Sequence, residues 1–61
     1  MKFSTVNPDT ERGILILCND GERNYMVQGQ FYIDEDDYYT HDGETLEGVI
    51  AWAELPEIEY I

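Results

Sequence analysis

The sequence predicts a small all-β protein, an antiparallel meander of four to five strands. Three observations carry that prediction. No stretch holds a 3.6-residue apolar period long enough for a helix, although Glu44 to Ala53 has room for a single helical turn. The strongest apolar segment, Ile14-Leu15-Ile16-Leu17-Cys18, is short and continuously apolar, as in a strand buried on both faces. Asp-Gly dipeptides separate the apolar runs, which is hairpin chemistry.

Each element follows in order. Asn7-Pro8-Asp9 is a turn, and Glu11-Arg12-Gly13 leads into the first strand. Asn19-Asp20-Gly21-Glu22 reads as a hairpin, with the partner strand over Arg23 to Gln28. There Tyr25 and Val27 share one face, and Met26 takes the other. Gly29-Gln30 reads as a second tight turn and Phe31-Tyr32-Ile33 as a short third strand. Asp34-Glu35-Asp36-Asp37 interrupts the pattern before Tyr38-Tyr39-Thr40 resumes it. After the turn at His41-Asp42-Gly43-Glu44, the last strand runs over Gly48 to Ala53 and stops near Leu55-Pro56. The ending Glu57-Ile58-Glu59-Tyr60-Ile61 alternates with period 2, as an edge strand does.

At 61 residues the chain is expected to form one domain, residues 1–61. A chain of this size buries only about 60% of its unfolded surface, so a partner chain is an expected support. The Ile14-to-Cys18 strand needs cover on two faces and one sheet supplies one, so a homodimer is expected. The single cysteine, Cys18, makes no internal disulfide and reads as a buried thiol in a reducing compartment. The start carries no apolar signal-peptide core, and no apolar run approaches the ~20 residues of a membrane span. The expected location is the cytoplasm.

Fourteen acidic residues oppose three basic ones, for a formal net charge of −11. Three cations are too few to displace counterions from a nucleic acid or to hold an anionic membrane, so neither is an expected partner. The charge is unevenly placed. Residues 1–33 net −1, whereas residues 34–61 hold ten acids and no base.

The order of an aromatic opening, a Pro turn, an aliphatic strand and a Trp-x-x-Leu-Pro-Glu ending resembles a short phage and prophage domain of unknown function. Phe3-Ser4-Thr5-Val6 matches its start, Ile14-Leu15-Ile16-Leu17 its strand, and Ile50-Ala51-Trp52-Ala53-Glu54-Leu55-Pro56-Glu57 its ending. Phe3 stands where that family has Trp, Asn7 where it has Leu, and Ile50-Ala51 where it has Thr-His. The resemblance implies a phage setting, hence the cytoplasm of a bacterial host cell, and a small β fold, and brings no catalytic residues.

No enzyme is expected. Asp34, Glu35, Asp36, Asp37, His41, Asp42 and Glu44 are rich in oxygen ligands, but no register places them in a calcium-loop pattern. His41 and Cys18 are too few for zinc, and neither metal nor cofactor is expected. Ten acids without a base do not tune two carboxylates to separate proton-transfer roles. The aromatics among the acids carry more information. Tyr32, Tyr38, Tyr39, Trp52 and Tyr60 lie in or beside the acidic half. Trp52 and Phe31 suit a core, while Tyr and Trp are also enriched at binding hot spots. Neighbours on a strand point to opposite faces, so Tyr38 and Tyr39 cannot share one. Carboxylates at i and i+2 on a strand lie about 6.6–7 Å apart, which offers Asp34/Asp36 and Glu57/Glu59 as a phosphate-like row.

The expected function is a non-enzymatic, phage-type binding protein. It docks an acidic, Tyr-bearing half onto a basic host protein concerned with defence or nucleic acids, and inhibits it as a nucleic-acid mimic. The expected contacts are Asp34, Glu35, Asp36, Asp37, Tyr38, Tyr39, Asp42 and Glu44, with Glu57 and Glu59 behind them. The alternative is an oligomeric small-ligand module or nucleotide sponge with a pocket between chains, lined by Arg12 and Arg23. Solubility alone is a third reading of the charge.

Overall fold

The computed structural model describes residues 2–55. It contains four strands, β1 (Ile14–Asn19), β2 (Asn24–Tyr32), β3 (Asp37–Thr40) and β4 (Val49–Glu54). All neighbours are antiparallel in one sheet of order β3-β2-β1-β4. The fold is all-β, and no helix occurs among the described residues, so none is long and apolar enough to cross a membrane. The first three strands follow one another as hairpins. β4 then crosses back to lie beside β1, which is the strand order of a Greek key. The edge strand expected over residues 57–61 lies outside the described residues.

The β1–β2 hairpin forms where Asp20-Gly21 stands. Asp20 Oδ1 accepts the backbone N–H groups of Glu22 at 2.9 Å and Arg23 at 3.0 Å, and Asn19 Oδ1 accepts that of Gly21 at 2.7 Å. Such side-chain acceptors mimic a backbone turn. The same donors, led by Arg23, hold the Asp20 carboxyl below its ordinary range.

Gly29-Gln30 is not a turn. Gly29 sits inside β2, paired with Ile14 on one side and Thr40 on the other. A Cβ there would collide with the Tyr39 carbonyl oxygen and come within 3.0 Å of Ile16 Cδ1. The glycine marks a close approach of two backbones rather than a change of direction between strands.

Gly29 is also where the sheet curls. β1 pairs with Asn24 to Gly29 and β3 with Gly29 to Tyr32, so the two strands overlap at this residue alone. On a flat sheet Tyr38 and Asn19, level with Phe31 and Asn24, would be roughly 23 Å apart along β2, at about 3.3 Å per residue. Yet the N–H of Leu46 donates to Tyr38 O at 3.0 Å, and Asn19 N–H donates to Gly48 O at 2.9 Å. Leu46 and Gly48 are two residues apart and span about 7 Å at most. The β2–β3 hairpin is therefore folded back over the β1–β4 half.

This curl makes the core. Phe31 and Tyr38 come down on Ile14, Ile16 and Cys18, with Val27, Leu46, Val49 and Trp52 around them. The concave side is closed by the chain before β1. Ser4 pairs with Trp52 through bonds of 2.7 and 3.0 Å, Trp52 Nε1 donates to Val6 O at 2.6 Å, and Tyr38 OH donates to Asn7 Oδ1 at 3.1 Å. The Arg12 guanidinium lies 5.3 Å from the centre of the Trp52 ring and forks onto the Glu54 carboxylate. That hydrogen bond holds Glu54 below its ordinary range. Cys18 is fully buried, and burial pushes its thiol up.

The apolar β1 run is thus covered completely on one side only. Ile14, Ile16 and Cys18 are buried while Leu15 and Leu17 are half-buried. Both outer edges are partly occupied, β4 by Ser4 and β3 by Thr45 and Leu46. Near the end of β1 the register shifts by one bulge, where Gly48 passes so close to Asn19 O that a Cβ would strike it.

Gly29→Ala is expected to destabilise the fold by about 1–3 kcal/mol, the usual cost of overpacking. Gly13→Ala, whose Cβ would meet only Leu55 Cδ1 at 3.4 Å, is the control and should change stability far less. Urea unfolding of both variants measures the difference.

Candidate functional site

The β2–β3 connection is the tip of the folded-back hairpin and consists of Ile33, Asp34, Glu35 and Asp36. Turn bonds from Glu35 N–H to Tyr32 O (3.2 Å) and Asp36 N–H to Ile33 O (3.3 Å) shape it. Asp36 has φ +54°, a left-handed conformation that Asp tolerates because its short side chain bonds locally. Asp34 and Asp36 therefore stand on a turn, and the strand-like row expected of them does not form. Asp37 opens β3, half-buried, with Oδ1 accepting the Tyr38 N–H at 2.8 Å.

The tip is tied at its base from both sides. Glu11 Oε2 accepts the Ile33 N–H at 3.0 Å, which brings a further carboxylate to the three of the tip and the neighbouring Asp37. Nothing in the sequence announces this contact, which joins segments 22 residues apart. On the outer face, Tyr39 OH donates to the Glu35 carboxylate and its ring meets Tyr32 edge-on, with centroids 5.1 Å apart. The Glu35 hydrogen bond, aided by burial and by the charges of Glu35 and Asp37, pushes the Tyr39 phenol up to about 12. Tyr38 takes the opposite face, as neighbours on a strand must. It stacks on Phe31 at 4.8 Å and belongs to the core.

Asp42 and Glu44 are not brought to the tip. They lie on the turn from Thr40 to Glu44, closed by Thr40 N–H to Glu44 O at 2.8 Å and Gly43 N–H to Thr40 O at 2.9 Å. That turn is at the other end of β3, about 10 Å away along the strand. This exceeds the ~8 Å screening length at physiological ionic strength, so the two acidic groups act largely as separate fields. His41, exposed on the same turn, is 3.5 Å from Asp42. Glu57 and Glu59 lie outside the described residues.

Within one chain Arg12 and Arg23 are not brought together. Arg12 is engaged with Glu54, Thr10 and Trp52 beside the start of β1, with Asp9 3.8 Å away. Arg23 is exposed at the hairpin beyond the far end of β1, about 17 Å along the strand. Among the described residues no three His, Cys, Asp or Glu side chains are grouped to hold a metal ion.

The arrangement is an electrostatic one. Each pair of like charges 4–7 Å apart in water repels by roughly 0.6–1 kcal/mol. Among the described residues the ion pairs are those of Arg12 with Asp9 and Glu54, so none neutralises the tip. A cationic surface set against Asp34, Glu35 and Asp36 would relieve that repulsion and add attraction of its own. No family model, curated protein or solved structure matches this chain.

The Tyr39 phenol ionises in the unfolded chain near pH 10 and in the folded chain near 12, so the folded state retains a proton that the unfolded state releases. The Glu35–Tyr39 contribution is complete below pH 10 and fades as pH rises toward 12. Burial also holds the Tyr25 and Tyr38 phenols above their ordinary range, so absorbance titration at alkaline pH should find Tyr39 the furthest shifted of these three, and Glu35→Ala should move it back toward 10.

Proposed function

We propose that this chain is a non-enzymatic binding protein that docks the acidic tip of its β2–β3 hairpin onto a basic surface of another protein. The observation that supports the reading is the tip itself. Three consecutive carboxylates, Asp34, Glu35 and Asp36, project on a turn flanked by Asp37 and joined by Glu11, and its base is held by the core through Phe31 and Tyr38. A rigid base lets the charges face a partner without an ordering cost at binding. The field of the tip steers encounter, and binding weakens with salt. The partner surface is one that otherwise holds nucleic acid, since such surfaces gather cations, and occupying it inhibits that protein. The likeness of Phe3-Ser4-Thr5-Val6 and of the Trp52-to-Glu57 ending to a phage domain suggests a bacterial host protein as the target.

The alternative, a ligand module with a pocket between chains, draws less support, because Arg12 is already engaged with Glu54.

The variant D34N/E35Q/D36N removes three charges while keeping an acceptor for Tyr39 and a residue at position 36 that tolerates positive φ. Partner capture from host cells, compared for the two proteins at low and high salt, is the test. The natural chain should retain a nucleic-acid-binding protein that duplex DNA displaces, and the variant should bind it at least about tenfold more weakly. Equal retention by the two, or retention indifferent to salt, would sink the proposal.

A further inference from the structure

The neighbours of β2 cover it unevenly. β1 lies along residues 24–29 on one side, and β3 along residues 29–32 on the other. The side of β2 that faces β3 is therefore open over residues 24–28 among the described residues. The ladder fixes where the backbone groups of that stretch point. On β3, Tyr38 O and Thr40 N–H bond away from β2, to Leu46 and Glu44, so Asp37 and Tyr39 are the residues that bond Tyr32 and Gln30. Alternate residues of a strand direct their N–H and C=O groups to the same side, so Asn24, Met26 and Gln28 aim theirs past the end of β3. The hairpin end agrees: Asp20 N–H bonds Arg23 O, which by the same alternation turns Tyr25 and Val27 toward β1. Asn24, Met26 and Gln28 are all exposed, and their outward backbone groups bond to no other described residue.

We infer that this open edge of β2 is a docking site for an extended segment of another protein, which joins the sheet as a strand beside residues 24–28 and carries Lys or Arg at the end next to the 40–44 turn. It is separate from the acidic tip, which lies beyond the other end of β2. Open strand edges recruit strands through main-chain hydrogen bonds. The outer edges of β4 and β3 are met by Ser4 and by Thr45 and Leu46, whereas this stretch is left open among the described residues. Charge selects the chemistry of the added strand. The 40–44 turn stands where β3 would have continued opposite Gln28, and it brings Asp42 and Glu44 to that end, with which no Lys or Arg pairs among the described residues. At the other end Arg23 stands with Asp20 and Glu22, so a cation is met best beside Gln28. Between the ends, residues 24–28 carry no charge and Met26 is 57% exposed, which suits an uncharged middle. A second copy of β2 does not fit. The two-fold register that pairs Asn24 with Gln28 and Met26 with Met26 sets the copy's Arg23 opposite Gly29, where Thr40 already lies.

The test uses the full, isotope-labelled chain in solution and three short probe peptides. The first has two Lys followed by alternating Thr and Val. The second is the same peptide N-methylated at two adjacent central residues, so that each of its edges loses a donor. The third has Glu in place of Lys. The first should slow hydrogen exchange at the Asn24, Met26 and Gln28 amides, and the second and third should bind at least about tenfold more weakly. Met26→Pro, which removes a donor that β1 does not use, should abolish binding of the first peptide. If that variant fails to fold, the N-methyl comparison decides alone. D42N/E44Q should weaken the first peptide more than D34N/E35Q/D36N does. Equal affinity of the first two peptides, protection confined to residues 33–37, or binding that follows D34N/E35Q/D36N rather than D42N/E44Q would overturn the inference and leave the tip reading intact. The tip reading fails separately, in the capture experiment above. In the free chain, a Met26 amide already slow to exchange would overturn the inference: contacts from residues 56–61 would assign the edge to the chain's own end, and loss of protection on dilution to a second copy.

Discussion

A single sheet has two faces, and a chain this short has no second layer to lay over either. The curl of β2 at Gly29 answers that constraint. By folding the β2–β3 hairpin back, it sets Phe31 and Tyr38 against Ile14, Ile16 and Cys18, so the sheet covers its own concave side. The absence of a side chain at Gly29 permits the Tyr39 carbonyl to approach, and that approach lets one strand pair with β1 along its first half and β3 along its second. The segment before β1 closes what the hairpin leaves open, using Trp52 as its fixed point: the indole N–H, the ring face and the backbone are all engaged.

The same curl sorts the charge. Arg12 serves the closure of the core, bound to Glu54 and lying against Trp52, and is thereby withdrawn from the acidic tip. Arg23 is at the far hairpin. Among the described residues no cation pairs with the tip's carboxylates, and its base rests on the buried core through Phe31 and Tyr38. Tyr38 and Tyr39 divide the labour between them, one in the core and one on the outer side beneath Glu35.

Much of this was readable from local patterns. The Ile14-to-Cys18 run and the Asp20-Gly21 turn are local signals, and β1 and its hairpin lie where they point. So is the opposition of Tyr38 and Tyr39, because the two-residue strand period is a property of the backbone. What local reading missed is set by distant partners. Gly29 has the sequence look of a turn, and its actual role depends on Tyr39 and Ile16, which only the folded chain brings close. The return of β4 to β1 is likewise a matter of pairing between residues such as Ile14 and Glu54 that are far apart in the chain, and Glu11 reaches Ile33 with no motif to mark it. The phosphate-like spacing expected of Asp34 and Asp36 presumed an extended backbone, and the left-handed Asp36 removes that premise.

The short pairings at the two sheet margins have a further consequence. Ser4 sits on the outer side of β4, and Thr45 with Leu46 on the outer side of β3. Unpaired strand margins are templates along which chains add to one another into fibrils, and natural proteins block them. Here each is blocked by a few residues of the same chain, and the mutual repulsion of molecules carrying −11 reinforces the block. The fold thus shields both margins from the strand addition that starts fibrils, using residues far from each strand in sequence as well as residues next to it.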